Sequence, residues 1–455
     1  MVTRRPREGD MALDGSPSDV NQSRVVASHL RQIAALGRTA SPVAGAAIST
    51  TVIGGLWWLA ALHLCAPPQV GRYVAVYGIA VLLAELCSLG VGQTMVRYLT
   101  DAGQLWAAMA RTGLALVTVL FVGSVALVAA AAQLFGRQTL LPVGAPGWLV
   151  LLTMGVAAMW FTKTEDLLLA TGHRPAQLVR ATLAATLRVA FLLAFWRHGS
   201  LTWISLALSY ALPSILASFA ACIVMRRELL YRSRRQILLK PSQIGRFAPY
   251  AWRSYLGNIL AALVPNALPV LVVWQLGTTA GARFGAAWFI VNAMMLVPTA
   301  ISLTTFSIVA RGERCIDHIT AQGAWLVLAT QIPMSIAALG VAEVALPHVR
   351  AAYATLGISQ LGPLLLGSIC MGLTVQIYAR ARLVNGGQRI IIAGQLLQSG
   401  LVLSLAPILG ERLGLSGFCA GWFLGAAATL AFLHTAGLPQ LSRTRCTSMQ
   451  AEVGR

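Results

Sequence analysis

The sequence predicts an all-α membrane protein of about twelve transmembrane helices, arranged as two six-helix lobes in parallel repeat around a central cavity. Three observations carry this. The 455 residues are 57% hydrophobic and only 11% charged, against roughly 25% charged in an ordinary soluble domain. The apolar residues gather into runs of membrane-crossing length, and the basic residues between the runs alternate from loop to loop. Mean hydropathy is +0.72. A soluble fold of this size lacks the charge to cover its surface, so the apolar excess needs lipid.

The elements follow in chain order. Residues 1–41 form a cytoplasmic tail, and its first 23 residues are polar with Pro and Gly, a composition that stays disordered. From Arg24 apolar residues recur at helical spacing, with Arg24, Arg31 and Arg38 seven apart on another face. Two readings fit: an amphipathic helix on an anionic membrane surface, or a cytosolic extension of the first span. No cleavable signal peptide is expected, because the first apolar run starts only near residue 42, after this Arg-rich stretch. Twelve apolar segments then run over 42–65, 73–95, 104–134, 147–170, 181–196, 201–225, 249–276, 284–309, 322–345, 360–379, 390–408 and 414–436. Most match the roughly 20 residues that cross ~30 Å of hydrocarbon at about 1.5 Å per residue. The fifth is short.

The charges test the count. Lys and Arg number 34 against 14 Asp and Glu, a balance that on a soluble domain would suggest nucleic acid. Here the basic residues lie between apolar runs, and no nucleic-acid partner is expected. With a cytoplasmic N-terminus, 24 of them fall on the cytoplasmic side and 6 on the other, one in each outer loop. Positive charge is retained on the cytoplasmic side, and one missed span would scramble the split. Both termini are therefore placed in the cytoplasm, the second as the tail 438–455. Heavy use of Ala, Gly and Arg beside only two Lys points to a GC-rich bacterial genome, hence to the inner membrane. The seven cysteines, at 65, 87, 222, 315, 370, 419 and 446, form no C-x-x-C pair and read as small packing residues. No metal site and no cofactor is expected.

The most basic loop, 226–248, divides the spans into an N-lobe, 42–225, and a C-lobe, 249–437. Weak internal similarity supports a duplication. Tyr73-Val74-Ala75-Val76-Tyr77 follows Gly71-Arg72, and Phe284-Gly285-Ala286-Ala287-Trp288 follows Ala282-Arg283. Gly172-His173-Arg174 after the fourth helix matches Gly387-Gln388-Arg389 after the tenth. Both halves start on the same side, which suits alternating access through a shared cavity. Short outer loops leave little room for a catalytic domain, and no enzymatic activity is expected.

Several of these stretches resemble the polysaccharide flippase branch of the multidrug/oligosaccharidyl-lipid/polysaccharide exporter superfamily. The residues are Ala66-Pro67-Pro68-Gln69-Val70-Gly71-Arg72-Tyr73, then Leu89-Gly90-Val91-Gly92 leading to Arg97. Gly281-Ala282-Arg283-Phe284 through Pro298 to Arg311 and Leu169-Ala170-Thr171-Gly172-His173-Arg174 complete the set. The resemblance implies translocation of an anionic polyprenyl-pyrophosphate-linked oligosaccharide from the cytoplasmic to the periplasmic leaflet, in O-antigen or exopolysaccharide assembly. It further implies a cationic cavity between the lobes, with membrane lipids around it and polymerase and glycosyltransferase partners.

Charged residues inside spans are costly and mark cavities or partners. Arg188 lies mid-helix in the fifth span, about 12 Å along the axis from Arg180 at 1.5 Å per residue. It either snorkels to the interface or serves as a cavity cation for the pyrophosphate, whose oxygens suit the planar guanidinium. Lys163 and Asp166 share a face of the fourth helix, as a structural ion pair or as cavity groups, while Glu165 points elsewhere toward an Arg of another helix. Arg111 and Arg253 sit near the cytoplasmic ends of the third and seventh helices, where anchoring explains both. The resemblance also offers them as substrate contacts, since the seventh helix would line the cavity. Glu85, alone at mid-depth in the second helix, either carries a coupling proton or pairs with an Arg. Pro265, Asn266 and Pro269 interrupt the seventh helix and Pro298 the eighth, as candidate hinges. Gly417, Gly421 and Gly425 form a small-residue packing stripe.

Two alternatives remain in view. A multidrug and toxin extrusion exporter of the same fold would need a membrane carboxylate, commonly in the first or seventh helix, and neither has one. An integral polysaccharide polymerase would carry a large periplasmic loop, which is lacking here. The topology gives the first prediction. In a cysteine-less background, Arg235→Cys is labelled only from the cytoplasm and Arg412→Cys only from outside; labelling of position 235 from outside would refute the arrangement.

Overall fold

A segment in lipid must satisfy its own backbone hydrogen bonds, so helices are the expected form of every apolar run. The computed structural model describes residues 50–98, 106–135, 144–199, 201–226, 241–310, 316–382 and 387–437, and among them the regular structure is entirely helical. The tail helix at 24–38, most of the basic linker, the C-terminal tail and the side chains of Arg97, Arg174 and Arg253 lie outside the described residues.

The N-terminal half holds α1 (Thr50–Leu64), α2 (Pro67–Cys87), α3 (Val91–Tyr98), α4 (Trp106–Phe135), α5 (Gly144–Ala170), α6 (Arg174–Arg197) and α7 (Trp203–Val224). The C-terminal half holds α8 (241–276) and α9 (278–310), then α10 (Ile316–Val349), α11 (Ile358–Arg382), α12 (Gly387–Leu413) and α13 (Leu415–Phe432). Ten of the described helical stretches are long and apolar enough to cross a membrane. One of these, Tyr250–Ser302, has 53 residues, about 80 Å of helix and more than twice the hydrocarbon thickness. It is two spans, α8 and α9, folded back at Gly277, whose φ of 84° and ψ of 173° break the helix. Gly281 packs on Val273 across that turn. With α1 as the described part of the first span, and α3 as a short extra helix, twelve crossings result.

The helices differ from the sequence expectations in four places, each with a local cause. The second span begins at Pro67, which has no backbone N–H to leave unpaired at a helix start, and Arg72 is inside it. The same span ends early, because Leu89 and Gly90 have φ of 46° and 68° and the chain restarts as α3. The fifth span is not short: α6 starts at Arg174, with Pro175 in its first turn, so Arg180 belongs to the helix rather than to a loop. The expected loop 277–283 is a single-residue turn, and the backbone stays helical through Pro265, Asn266, Pro269 and Pro298. None of the four interrupts its helix. Pro298 cannot serve the carbonyl of Met294, and Gln331 of α10 donates its Nε2 to that oxygen at 3.4 Å instead.

Within the first half α7 packs on α5 and α6, and α2 on α5; within the second, α13 packs on α11 and α12, and both of these on the α8–α9 hairpin. The Gly417, Gly421 and Gly425 stripe lies against Leu409, Ala406 and Val402 of α12. The halves meet chiefly where α2 runs along α8–α9. Gly71 lies under the Thr278 carbonyl and Gly78 under that of Asn266, with no room for a Cβ at either. Because the backbone at Gly277 sits where only glycine is comfortable, Gly277→Ala is expected to cost about 1–3 kcal/mol. A thermal melt in detergent checks this, against Gly123→Ala, where a Cβ meets nothing within 4 Å.

Candidate functional site

The glycine seam leaves a cavity of about 420 Å³ beside it, between the two halves. Its walls come from α1, α2, α6 and α7 on one side and α8 and α9 on the other. Tyr73 and Tyr77, four residues apart, present one face of α2 to it. Trp57 of α1 is fixed by a hydrogen bond from its Nε1 to Ser209 Oγ at 3.1 Å, and the Tyr77 and Tyr210 hydroxyls lie 3.3 Å apart.

Arg188 is the charged side chain among the described lining residues, and no carboxylate lies among them. It is 7% exposed. Its Nη2 donates to Ser214 Oγ at 2.8 Å, and its Cζ stands 3.9 Å over the Tyr210 ring, with Phe161 at 5.3 Å. Its Nε is buried without a hydrogen-bond partner. Interaction with an aromatic face is worth about 0.5–2 kcal/mol, less than the several kcal/mol of burying an ion. The site is therefore under-satisfied, and an anion entering the cavity would gain charge-assisted hydrogen bonds from it.

The other predicted residues divide. Pro265, Asn266 and Pro269 line the same cavity as Arg188; Asn266 donates its Nδ2 to the Ala262 carbonyl at 2.8 Å. Lys163, Glu165 and Asp166 do not line it. Lys163 meets Asp166 at 3.7 Å, packed against Gly92 of α3. Glu165 meets Arg180 Nη2 at 3.2 Å and accepts from Gln177 Nε2 at 2.7 Å. Arg180 also donates to the Phe161 carbonyl at 2.6 Å and to Thr164 Oγ1 at 3.1 Å. Glu85 is half-buried and accepts from Ser88 Oγ at 3.5 Å; among the described residues it is in neither ion pair. Arg111 donates its Nε to the Ala107 carbonyl one turn back at 3.3 Å and is not among the cavity residues. The Arg253 side chain is outside the described residues. Pro298 lies on α9 away from this cavity, its carbonyl accepting from Gln376 Nε2 at 3.0 Å.

Sequence reasoning missed Trp57, Tyr210 and Asn292 as lining residues and took Arg180 for a loop residue. The Arg174-Pro175 helix start was the signal that places Arg180 two turns inside α6.

The same arrangement of helices occurs in solved transporters. The chain superposes on a crystal structure of a MATE in complex with MaD3S with a TM-score of 0.63, at 14% identity, covering 90% of this chain and 97% of that one. An outward-facing multidrug resistance MATE family transporter of the MOP superfamily gives 0.61, at 14% identity, over 89% and 96% of the two chains. An inward-facing conformation of such a transporter gives 0.56, also at 14% identity, over 90% and 96%. No protein-family model and no curated protein matches the sequence. The fold is thus that of the MATE transporters, two lobes with a cavity between them.

The ion pairs make a stability prediction. Arg180 is 3% exposed and Glu165 40% in their side chains, so Arg180→Ala leaves a carboxylate that water can reach, and the cost, chiefly the lost bonds to the Phe161 carbonyl and Thr164 Oγ1, is about 1–2 kcal/mol. Thermal unfolding in detergent should show it.

Proposed function

We propose that this chain is an inner-membrane transporter of the MOP superfamily whose cargo joins an anionic head to an apolar body. The cargo fitting that description and the sequence resemblance is a polyprenyl-pyrophosphate-linked oligosaccharide, moved from the cytoplasmic to the periplasmic leaflet for cell-surface polysaccharide assembly. The observation that carries the reading is Arg188, buried at the cavity wall among aromatic rings, with no carboxylate among the described lining residues. A guanidinium so placed favours pyrophosphate oxygens over a cationic cargo. In this reading both termini are cytoplasmic and the protein performs no covalent chemistry.

A multidrug exporter is the second reading, favoured by the fold shared with multidrug resistance MATE transporters. It would take its cargo in the same cavity, and the cavity's charge argues against a cation there.

A deletion strain separates them. The proposed function predicts lipid-linked oligosaccharide trapped in the inner leaflet, restored by the wild-type chain and reduced ten- to hundredfold in rate by Arg188→Ala, the weight of about 1.5–3 kcal/mol for a charge-assisted bond. Arg188→Lys should recover part of the rate. Raised drug susceptibility with normal surface polysaccharide would favour the exporter.

A further inference from the structure

A second cavity, of about 350 Å³, lies within the second half of the chain. It shares Pro265, Trp288 and Asn292 with the central cavity, so these residues form a common wall between the two spaces. Its size falls in the roughly 300–1,000 Å³ range of ligand sites. Like its neighbour it has one arginine and no carboxylate among its described lining residues, but that arginine is exposed where Arg188 is buried, and glutamines take part in its lining. The exposed Arg382 is the one charged side chain among its described lining residues, and the polar groups there are amides and hydroxyls.

Several of these groups are badly served by the protein. Gln395 Oε1 and the Tyr378 hydroxyl are buried without a hydrogen-bond partner. Gln398 Nε2 has only the Met371 thioether, at 2.8 Å, and a thioether is a weak acceptor. Buried polar atoms are nearly always paired, so a cluster of this kind requires an explanation. Two glutamines, a tyrosine hydroxyl and Asn292 supply donors and acceptors of no net charge. Trp288 and Trp422, perpendicular with ring centroids 5.0 Å apart, supply two aromatic walls. Groups that both donate and accept, on a compact body with apolar faces, complement this lining. That is the description of a sugar ring.

We propose that this chamber binds an uncharged sugar of the cargo, while Arg188 across the Trp288 wall holds the pyrophosphate. The assignment rests on the reading of the chain as a carrier of glycosylated lipid. It divides recognition in two: charge is read by the first half of the chain, and hydroxyl pattern by the second. Specificity for sugar then resides in Gln395, Gln398 and Tyr378. Loss of the amides should weaken binding of a glycosylated lipid without affecting a bare one.

The test uses the full-length protein in lipid nanodiscs. Binding is measured for an undecaprenyl pyrophosphate without sugar and for the same lipid carrying one glucose, galactose or N-acetylglucosamine. The inference expects at least one glycosylated lipid to bind about tenfold more tightly than the bare lipid. Gln395→Leu combined with Gln398→Leu should abolish that difference and leave bare-lipid affinity unchanged, whereas Arg188→Ala should weaken both lipids alike. If the double variant does not fold, Gln395→Met alone at its half-buried position reads the same difference. Equal binding of bare and glycosylated lipids by the wild type, or equal weakening of both by the Gln variants, overturns the sugar assignment and leaves the transport reading intact. Bare lipid that fails to bind, or binds regardless of Arg188, overturns the transport reading and the sugar assignment with it.

Discussion

Backbone contact between α2 and the α8–α9 hairpin governs the rest of the molecule. Lipid tails are as apolar as the helices, so burial does not drive helices together in a bilayer and close packing has to. Gly71 and Gly78, seven residues apart on one face of α2, allow the approach to the carbonyls of Thr278 and Asn266. With that edge closed, Tyr73 and Tyr77 are carried to the cavity, opposite Pro265 and Asn266 from the other half. The place and lining of the cavity follow from where two glycines let two backbones touch.

Charge inside the first half is distributed to the same end. Lys163 and Arg180 each have a carboxylate, and both pairs sit outside the cavity. Arg188 has a serine hydroxyl and aromatic faces. The Arg180–Glu165 pair ties α6 to α5, the Lys163–Asp166 pair lies within α5, and Arg188 at the wall is in neither pair. A buried ion pair adds little net stability, but each pair removes competing charge from the neighbourhood of the site.

Most of the architecture was legible in the sequence because a bilayer imposes length, hydropathy and charge asymmetry on every span. The segments ending at 170, 225 and 276 agree with the helix ends within a residue or so. What escaped depended on local backbone detail. An apolar run says nothing about the αL pair at Leu89 and Gly90 that ends α2. Proline in a span reads as a break, yet the helices continue through Pro265, Pro269 and Pro298, and at Pro298 a glutamine from another helix donates to the freed carbonyl. Of the candidate site residues, Arg188 was legible by depth alone. Trp57 and Tyr210 were not, because a tryptophan or tyrosine in an apolar run shows no sign of which way it faces.

The turn at Gly277 has a mechanical consequence. One non-helical residue joins α8 to α9, and a residue has two soft torsions. Neither helix can slide along the other, since no slack chain exists to pay out. The hairpin can only pivot about that point, like a pair of compasses, so any tilt of α8 that carries Pro265 and Asn266 must be resolved as a change in its angle to α9.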